Sequence, residues 1–161
     1  MANGFEKGFR LDGKVAFITG AAAGIGFAVA ELFSAQGASL ILLDLSPDVL
    51  EVAKKLPGAH LAIAANVADL SQIEKAVKQA AEKFGSIDIL VNNAGVALLN
   101  KADAITEGEW DTTMSVNLKA PFFLAQAVAR SMVKKGGGQI VNVASQASVI
   151  ALDRHVAYCA S

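Results

Sequence analysis

The order of apolar and amphipathic segments constrains the fold of this 161-residue chain more than any other feature of its sequence. Five short runs are rich in Val, Ile and Leu and show little polar alternation, which is typical of strands covered on both faces. Helical patterns separate these runs, and this succession predicts a parallel sheet with right-handed crossover connections. We therefore expect one domain, residues 1–161, with a doubly wound α/β sheet. The predicted strands are Val15–Thr19, Leu40–Leu43, Leu61–Ala65, Ile87–Val91 and Gln139–Val143.

Three local signals predict where helices begin. Two are capping boxes, in which a hydroxyl residue is followed three positions later by an acid, and one is an N-cap serine followed by proline. The pairs are Ser71 with Glu74, Thr106 with Glu109, and Ser46 with Pro47. The helix that opens at Thr106 is expected to continue to about Lys135, where three glycines end it.

Composition excludes several classes of protein. Apolar residues make up 53% of the chain and charged residues 18%, which indicates a packed domain rather than a disordered chain. The net charge of −1 offers no basic surface, so we expect neither a nucleic acid nor a membrane as partner. A single cysteine, Cys159, fits a reducing compartment. Without an apolar leader or membrane span in the sequence, we expect a cytoplasmic location.

The segment TGAAAGIG, residues 19–26, falls between the first predicted strand and the helix that follows it. Its glycines permit positive φ and allow the backbone to approach a bulky anion closely. The helix would present free N–H groups and the positive end of its dipole to a diphosphate. A glycine-rich turn without a ligand is the alternative interpretation. The expected nucleotide contacts in this turn are Gly20, Ala23, Gly24, Ile25 and Gly26.

With further motifs in the same order, this turn resembles the short-chain dehydrogenase/reductase family, in which T-G-x-x-x-G-x-G is typical. The motif NNAG, residues 92–95, follows the fourth predicted strand, and Asn117 lies in the segment SVNLKAPF. Ser145 precedes Tyr158 by the thirteen residues that separate the family's catalytic serine and tyrosine. The resemblance extends along nearly the whole chain. It implies a Rossmann-type fold and hydride transfer between a nicotinamide cofactor and a small alcohol or ketone.

The resemblance also implies roles for individual residues. Those implied as catalytic are Asn117, Ser145 and Tyr158, and those implied as cofactor contacts include Asn93, Ala94, Gly95 and Tyr158. The family's catalytic lysine follows its tyrosine by four residues, which is the position after Ser161. We therefore expect the N-terminal part of the family fold, with five strands present and the last strands absent. For the complete protein, the resemblance implies a homodimer or homotetramer.

Asp44 ends the second predicted strand and predicts the type of cofactor. An acid at this point can accept hydrogen bonds from both hydroxyls of the adenosine ribose, and it would repel a 2′-phosphate. The neighbouring Leu45 is not basic, so we expect NAD rather than NADP. Asp44 as a simple turn residue is the alternative. Asn66 precedes Val67 where the family usually has aspartate, and its carbonyl could still accept a hydrogen bond from the adenine amino group.

Oxidation of an alcohol by NAD removes a hydride from carbon and a proton from oxygen, and Tyr158 is the candidate base. Ser145, after the fifth strand, could hold the substrate oxygen, although Ser148 is a rival. Pro121 has no N–H, so the carbonyl of Asn117 lacks its usual helical partner. The resemblance implies that this carbonyl holds a water in a proton relay; Asn117 as a packing residue is the alternative.

These features predict an NAD-dependent dehydrogenase of a secondary alcohol, or the reverse ketone reductase. NAD favours the direction of oxidation, so a polyol or sugar alcohol is the expected substrate. One alternative is an NADP-linked 3-oxoacyl carrier-protein reductase, against which Asp44 argues. Another is a truncated, non-catalytic nucleotide-binding module. The two histidines, His60 and His155, do not predict a metal site.

Overall fold

The computed structural model describes residues 9–161 and contains a five-stranded parallel sheet in the order β3-β2-β1-β4-β5. The strands are β1 Val15–Thr19, β2 Ser39–Asp44, β3 His60–Ala64, β4 Ile89–Asn92 and β5 Gln139–Asn142. Because the strand order reverses between β1 and β4, a crevice forms there at the carboxyl ends of the strands. The doubly wound α/β prediction is confirmed. The first eight residues of the predicted domain 1–161 lie outside the described residues.

Six α-helices connect or follow these strands within the described residues. They are α1 Gly24–Ala35, α2 Val49–Lys55, α3 Leu70–Phe84, α4 Glu107–Met114, α5 Ala120–Lys134 and α6 Val156–Ala160. A π-helical segment, Ser115–Lys119, joins α4 to α5, and a short 3-10 turn, Gln146–Ser148, follows β5. No helix in residues 9–161 has the length and apolar character needed to cross a membrane.

All five predicted strands are present, but several of their ends differ by one or two residues. The largest difference is at β4, which was expected at Ile87 and begins at Ile89. Ile87 is nevertheless only 2% exposed. An apolar run in the sequence indicates which residues are buried, whereas the end of a strand is set by backbone hydrogen bonds to the neighbouring strands. The ends of an apolar run and of a strand therefore need not coincide.

The predicted capping box of Ser71 and Glu74 is wrong. The carboxylate of Asp69 accepts hydrogen bonds from the backbone N–H groups of Ser71 at 2.9 Å and Gln72 at 3.4 Å. Asp69 therefore caps α3, and Ser71 lies inside the first turn. An aspartate two positions upstream offers the free N–H groups a charged acceptor, which is stronger than a hydroxyl.

The other two helix starts have opposite outcomes. Ser46 and Pro47 form a turn before α2 rather than its first residues, because the helix begins only at Val49. The Thr106–Glu109 capping box is confirmed: the Thr106 hydroxyl accepts from the Glu109 N–H at 3.3 Å, and the Glu109 carboxylate accepts from the Thr106 N–H at 2.8 Å. The backbone N–H of Thr106 also holds the pKa of the Glu109 carboxyl below its usual value.

Two hydrophobic clusters cover the faces of the sheet. Phe17 and Ile18, neighbours on β1, are both fully buried and belong to different clusters because successive strand residues point to opposite faces. One cluster packs against α3 and α5, and the other against α1 and α2. The expected coverage on both faces holds for β1, β2 and β4. It is wrong for the edge strands, because β3 is largely half-buried and every residue of β5 is exposed.

Candidate active site

The turn between β1 and α1 lies at the crevice and requires glycine at two positions. Gly20 and Gly24 have φ values of +67° and +57°, in the left-handed region that favours glycine. Helix α1 begins at Gly24 with Ala23 as its N-cap, so no side chain caps the helix and no acid lies in its first turn. The N–H groups of Gly24–Gly26 at the start of α1 and the positive end of the helix dipole are thus available to an anion.

Asn93 and Thr19 hold the glycine turn against the end of β4. Asn93 Nδ2 donates to the carbonyl oxygens of Thr19 at 3.0 Å and Gly20 at 3.2 Å. The buried hydroxyl of Thr19 accepts from the backbone N–H groups of Asn93 at 3.1 Å and Ala94 at 3.0 Å. A Cβ at Gly26 would overlap the Gly20 carbonyl oxygen and lie 2.5 Å from Asn93 Nδ2. Sequence reasoning did not assign a role to Thr19, although it is the first residue of the TGAAAGIG motif and a hydroxyl residue at the end of β1.

The carboxylate of Asp44 lies at the carboxyl end of β2, beside the glycine turn. Its Oδ2 accepts from the Ala22 N–H and its Oδ1 from the Ser46 N–H, both at 2.9 Å. Each carboxylate oxygen has a second acceptor site, so both can still accept a hydrogen bond from a ligand hydroxyl. The adjacent Leu45 is 72% exposed, which leaves an apolar side chain uncovered at this edge.

The chain after β3 contains two further predicted cofactor contacts, Asn66 and Val67, of which Asn66 was expected to contact the adenine. Asn66 Oδ1 accepts from the Ala68 N–H at 2.9 Å, and the Asn66 N–H donates to Gln72 Oε1 at 2.9 Å. The side-chain carbonyl of Asn66 is therefore already an acceptor, with one acceptor site left for a ligand. The side chain of Val67 is buried in the core cluster against α3 and α5, so only its backbone can face a ligand.

An open cleft of about 810 Å³ lies at the carboxyl ends of β4 and β5. It brings together predicted residues from the glycine turn, the NNAG motif, the π-helical segment, the loop after β5 and α6. These residues are Ile25, Asn93, Ala94, Gly95, Asn117, Ser145 and Tyr158. The other predicted contacts lie outside its lining, at the carboxyl ends of β1, β2 and β3 or in the first turn of α1: Gly20, Ala23, Gly24, Gly26, Asp44, Leu45, Asn66 and Val67. Among the described residues that line the cleft, none has a charged side chain.

The side chain of Asn117 ties the π-helical segment to the chain after β4. Its Oδ1 accepts from the Val96 N–H and its Nδ2 donates to the Val96 carbonyl, both at 2.9 Å. Nδ2 also donates to Ser161 Oγ at 2.9 Å. A hydrogen bond of the π-helical type is formed by Ala120, whose N–H donates to the Ser115 carbonyl five residues earlier. The expected role of the Asn117 carbonyl in holding a water stays a prediction.

Ser145 and Ser148 bracket the 3-10 turn after β5. Ser145 Oγ accepts from the Ala147 N–H at 3.2 Å, which leaves its own proton available to a ligand in the cleft. The hydroxyl of Ser148 instead donates to the Ser145 carbonyl at 2.8 Å. Because the proton of Ser148 is already used within the turn, Ser145 is the better placed of the two to donate to a substrate oxygen.

Tyr158 lies in α6 and lines the cleft. Among residues 9–161, its hydroxyl has no hydrogen-bond partner. Its ring meets the His155 ring edge to face, with 6.0 Å between centroids, and His155 Nδ1 lies 2.6 Å from the Asp153 carbonyl. Arg154, between them, has a φ of 60°, which is uncommon for a residue other than glycine. The Tyr158 ring is thus in contact with His155, and its hydroxyl is available to a ligand in the cleft.

A pair of asparagines joins the ends of β4 and β5 beside the cleft, and sequence reasoning missed its role. Asn92 Nδ2 donates to Asn142 Oδ1 at 2.8 Å and to the Pro121 carbonyl at 3.4 Å. Asn92 and Asn142 are direct partners in the parallel ladder. The sequence feature that could have indicated this pair is an asparagine at or next to the end of each of the two strands. Within residues 9–161, no group of three or more metal-ligating side chains is present.

The sequence matches the family model described as short chain dehydrogenase over residues 14–161. It is 54% identical to the NAD-dependent glycerol dehydrogenase of Listeria innocua over 98% of this chain and 63% of that protein. Identity to the D-threitol dehydrogenase of Mycolicibacterium smegmatis is 49%, over 95% of this chain and 60% of that protein. The chain thus spans less than two thirds of the length of these relatives.

A solved structure of 7α-hydroxysteroid dehydrogenase in complex with NADH and 7-oxo glycochenodeoxycholic acid has the same fold. It superposes with a TM-score of 0.89 at 33% sequence identity, over 94% of this chain and 61% of the other. The family match covers all but five of the described residues, 9–161, and the fold agrees with it. The predicted resemblance is therefore confirmed, and the chain belongs to the short-chain dehydrogenase/reductase family.

Proposed function

We propose that the protein containing this chain oxidises a secondary hydroxyl of a polyol, with NAD as the hydride acceptor and Tyr158 as the base. The observation that carries the proposal is that the hydroxyls of Ser145 and Tyr158 line one cleft at the carboxyl edge of the sheet. The hydroxyl and amide side chains along this cleft suit a substrate with several hydroxyls. The similarity to proteins named glycerol and D-threitol dehydrogenases supports the same substrate class.

The residues along the carboxyl edge fit a dinucleotide. The uncapped N–H groups of Gly24–Gly26 would bind the diphosphate, and Asp44 would accept from the hydroxyls of the adenosine ribose. The exposed side chains of Ile25 and Leu45 would pack against apolar parts of the cofactor. When bound, oxidised NAD supplies the carbon that accepts a hydride.

The chain's own residues handle the proton and the orientation of the substrate. Ser145 Oγ, which accepts from the Ala147 N–H, would donate its proton to the substrate oxygen and hold it in the cleft. The phenolic oxygen of Tyr158 would take the proton from the same substrate hydroxyl. Asn117 fixes the π-helical segment beside them, and we propose that its carbonyl binds a water through which this proton leaves.

Self-association and a cytoplasmic location belong to the same proposal. Several large apolar side chains on α4 and α5 are exposed, including Trp110 at 38%, Phe123 at 36% and Val133 at 78%. Such a surface supports a homodimer or homotetramer of the complete protein. Light scattering on the purified protein would measure its mass, and a monomer at micromolar concentration would contradict this part of the proposal.

A substrate and cofactor panel tests the function. The protein is produced with this sequence and any residues that follow Ser161, and formation of NADH is recorded with glycerol, D-threitol and galactitol. We expect turnover with at least one polyol and NAD, and little with NADPH and a 3-oxoacyl thioester. Faster reduction of that thioester with NADPH would instead support the reductase alternative.

Replacement of the proposed base, Tyr158, is a second test of the proposed function. Tyr158→Phe removes the hydroxyl and should lower kcat about 1,000-fold while NADH still binds with an affinity within about threefold. Cys159→Ser, at the adjacent half-buried position of α6, is the matched control and should leave kcat unchanged. Full turnover in Tyr158→Phe would contradict the proposed chemistry.

A further inference from the structure

A continuous series of hydrogen bonds runs from the helical turn of Tyr158 to the chain after β4. Ser161 Oγ donates to the Tyr158 carbonyl at 3.0 Å and accepts from Asn117 Nδ2 at 2.9 Å. The same Asn117 amide exchanges two hydrogen bonds with the backbone of Val96. Ser161 is thus the point at which α6 is bonded to the π-helical segment.

The two bonds of Ser161 differ in kind. A hydroxyl that donates to the carbonyl three residues earlier is a common local bond within a helix. The bond to Asn117 instead spans 44 residues of sequence and joins two separate elements. The long-range bond therefore constrains where the Tyr158 turn sits relative to the cleft.

The side-chain amide of Asn117 needs the Ser161 hydroxyl to complete its hydrogen bonding. Both protons of Nδ2 are used, one by the Val96 carbonyl and one by Ser161 Oγ, and Oδ1 accepts from the Val96 N–H. Removal of the Ser161 hydroxyl would leave one half-buried amide proton without its partner. It would also release the Tyr158 turn from the segment that carries Asn117.

We propose that Ser161 is a positioning residue, whose hydroxyl sets the distance between the Tyr158 phenol and the substrate oxygen held by Ser145. This proposal rests on the proposed function, in which Tyr158 is the base. Ser161 acts through Asn117 and Tyr158, and it takes no proton from the substrate. Its effect should therefore fall on the proton-transfer step and not on the diphosphate site at the start of α1.

Two substitutions at Ser161 and one elsewhere test this role in the protein produced with this sequence and any residues that follow Ser161. Ser161→Ala should lower kcat about tenfold, with KM for NAD unchanged within about threefold. Ser161→Thr keeps the hydroxyl and should restore kcat to within about threefold of the original. Ser131→Ala is the matched control, because Ser131 Oγ makes the same local bond to the Val128 carbonyl at 2.8 Å in α5, away from the cleft, and should leave kcat unchanged.

A double-variant comparison identifies the bond itself. If Ser161 acts through Asn117, the Ser161→Ala substitution should cost little in a protein that already carries Asn117→Ala. A further tenfold loss in that background would overturn the proposal. So would an unchanged kcat in Ser161→Ala, or a failure of Ser161→Thr to restore it. If Tyr158→Phe retains turnover, the proposed function itself is wrong. If Tyr158→Phe loses turnover but Ser161→Ala keeps the original kcat, the inference about Ser161 alone is wrong.

Discussion

The glycine turn and the hydroxyl cleft lie at the same edge of the sheet but are built in different ways. The glycine turn, residues 19–26, is continuous in sequence, and its shape comes from backbone conformation and the absence of Cβ atoms. The cleft is assembled from the separate segments of Asn117, Ser145 and Tyr158, and side-chain hydrogen bonds hold some of them together. Added atoms should therefore damage the turn most, and removed atoms should damage the cleft most.

The largest effect that separates the two regions is expected from Gly26→Ala. The new Cβ would collide with the Gly20 carbonyl oxygen and with Asn93 Nδ2, so the turn could not keep its shape. NADH affinity, measured by fluorescence titration, should fall at least about a hundredfold. Gly108→Ala in α4 meets no atom within 4 Å, and it should leave the affinity unchanged while stabilising the fold by about 0.5–1 kcal/mol. Unchanged NADH binding in Gly26→Ala would break the comparison.

A smaller effect, confined to the choice of cofactor, is expected from Asp44→Asn. The amide oxygen can still accept one backbone N–H, but the negative charge that would repel a 2′-phosphate is gone. The ratio of kcat/KM for NAD over NADP should fall at least about tenfold, equivalent to about 1.4 kcal/mol. Asp48→Asn, an exposed acid four residues later, should not change the ratio. A ratio that is the same in all three proteins would remove Asp44 from the cofactor site.

The smallest effect is expected at His60, at the opposite end of the sheet from both regions. His60 Nδ1 accepts from the Leu40 N–H at 3.2 Å, and its Nε2 lies 2.8 Å from the Pro57 carbonyl. Burial lowers the pKa of His60, and the positive charge of Lys83 acts in the same direction. The neutral ring thus suits the folded state, because a proton on Nδ1 would displace the Leu40 hydrogen bond.

The sign of the pH dependence follows from this lowered pKa. The folded-state pKa lies below the unfolded value of about 6.5, so the stabilisation is present above that pH and is lost as the pH falls through the folded pKa. His60→Asn offers an oxygen in place of Nδ1 but cannot take a proton. The decline in melting temperature from about pH 7 to pH 5 should therefore be shallower in this variant, with kcat unchanged. An equally steep decline would show that other groups cause it.

The difference between the two regions also explains how much of the molecule was predictable from its sequence. The bounds of β1 and the Thr106–Glu109 capping box follow from residues that are neighbours in sequence, and both predictions are confirmed. The α3 start was mispredicted because Asp69 and Ser71 are both good caps, and only the path of the chain selects between them. Local signals of this kind indicate that an element exists more reliably than they indicate its ends.

The cleft was predictable only in part, because its supports join distant residues. Pro121 indicated an altered helix near Asn117, and a π-helical segment is present there. Nothing local indicated that Asn117 would bond to Val96 and Ser161, or that Asn92 would bond to Asn142, 50 residues away. Such pairs exist only once the strands are ordered in the sheet. The resemblance to the family predicted which residues line the cleft, whereas the hydrogen bonds that hold these residues in place are seen only in the structure.

The central claim is that a dinucleotide lies across the carboxyl edge of the sheet, with its diphosphate at the start of α1 and its reactive ring beside Tyr158. A crystal structure of the protein, including any residues after Ser161, in complex with NADH tests this most directly. We predict that diphosphate oxygens accept from the N–H groups of Gly24–Gly26 and that the Tyr158 hydroxyl faces the nicotinamide. A dinucleotide bound at any other surface, or a Tyr158 side chain directed away from the nicotinamide, would contradict the account.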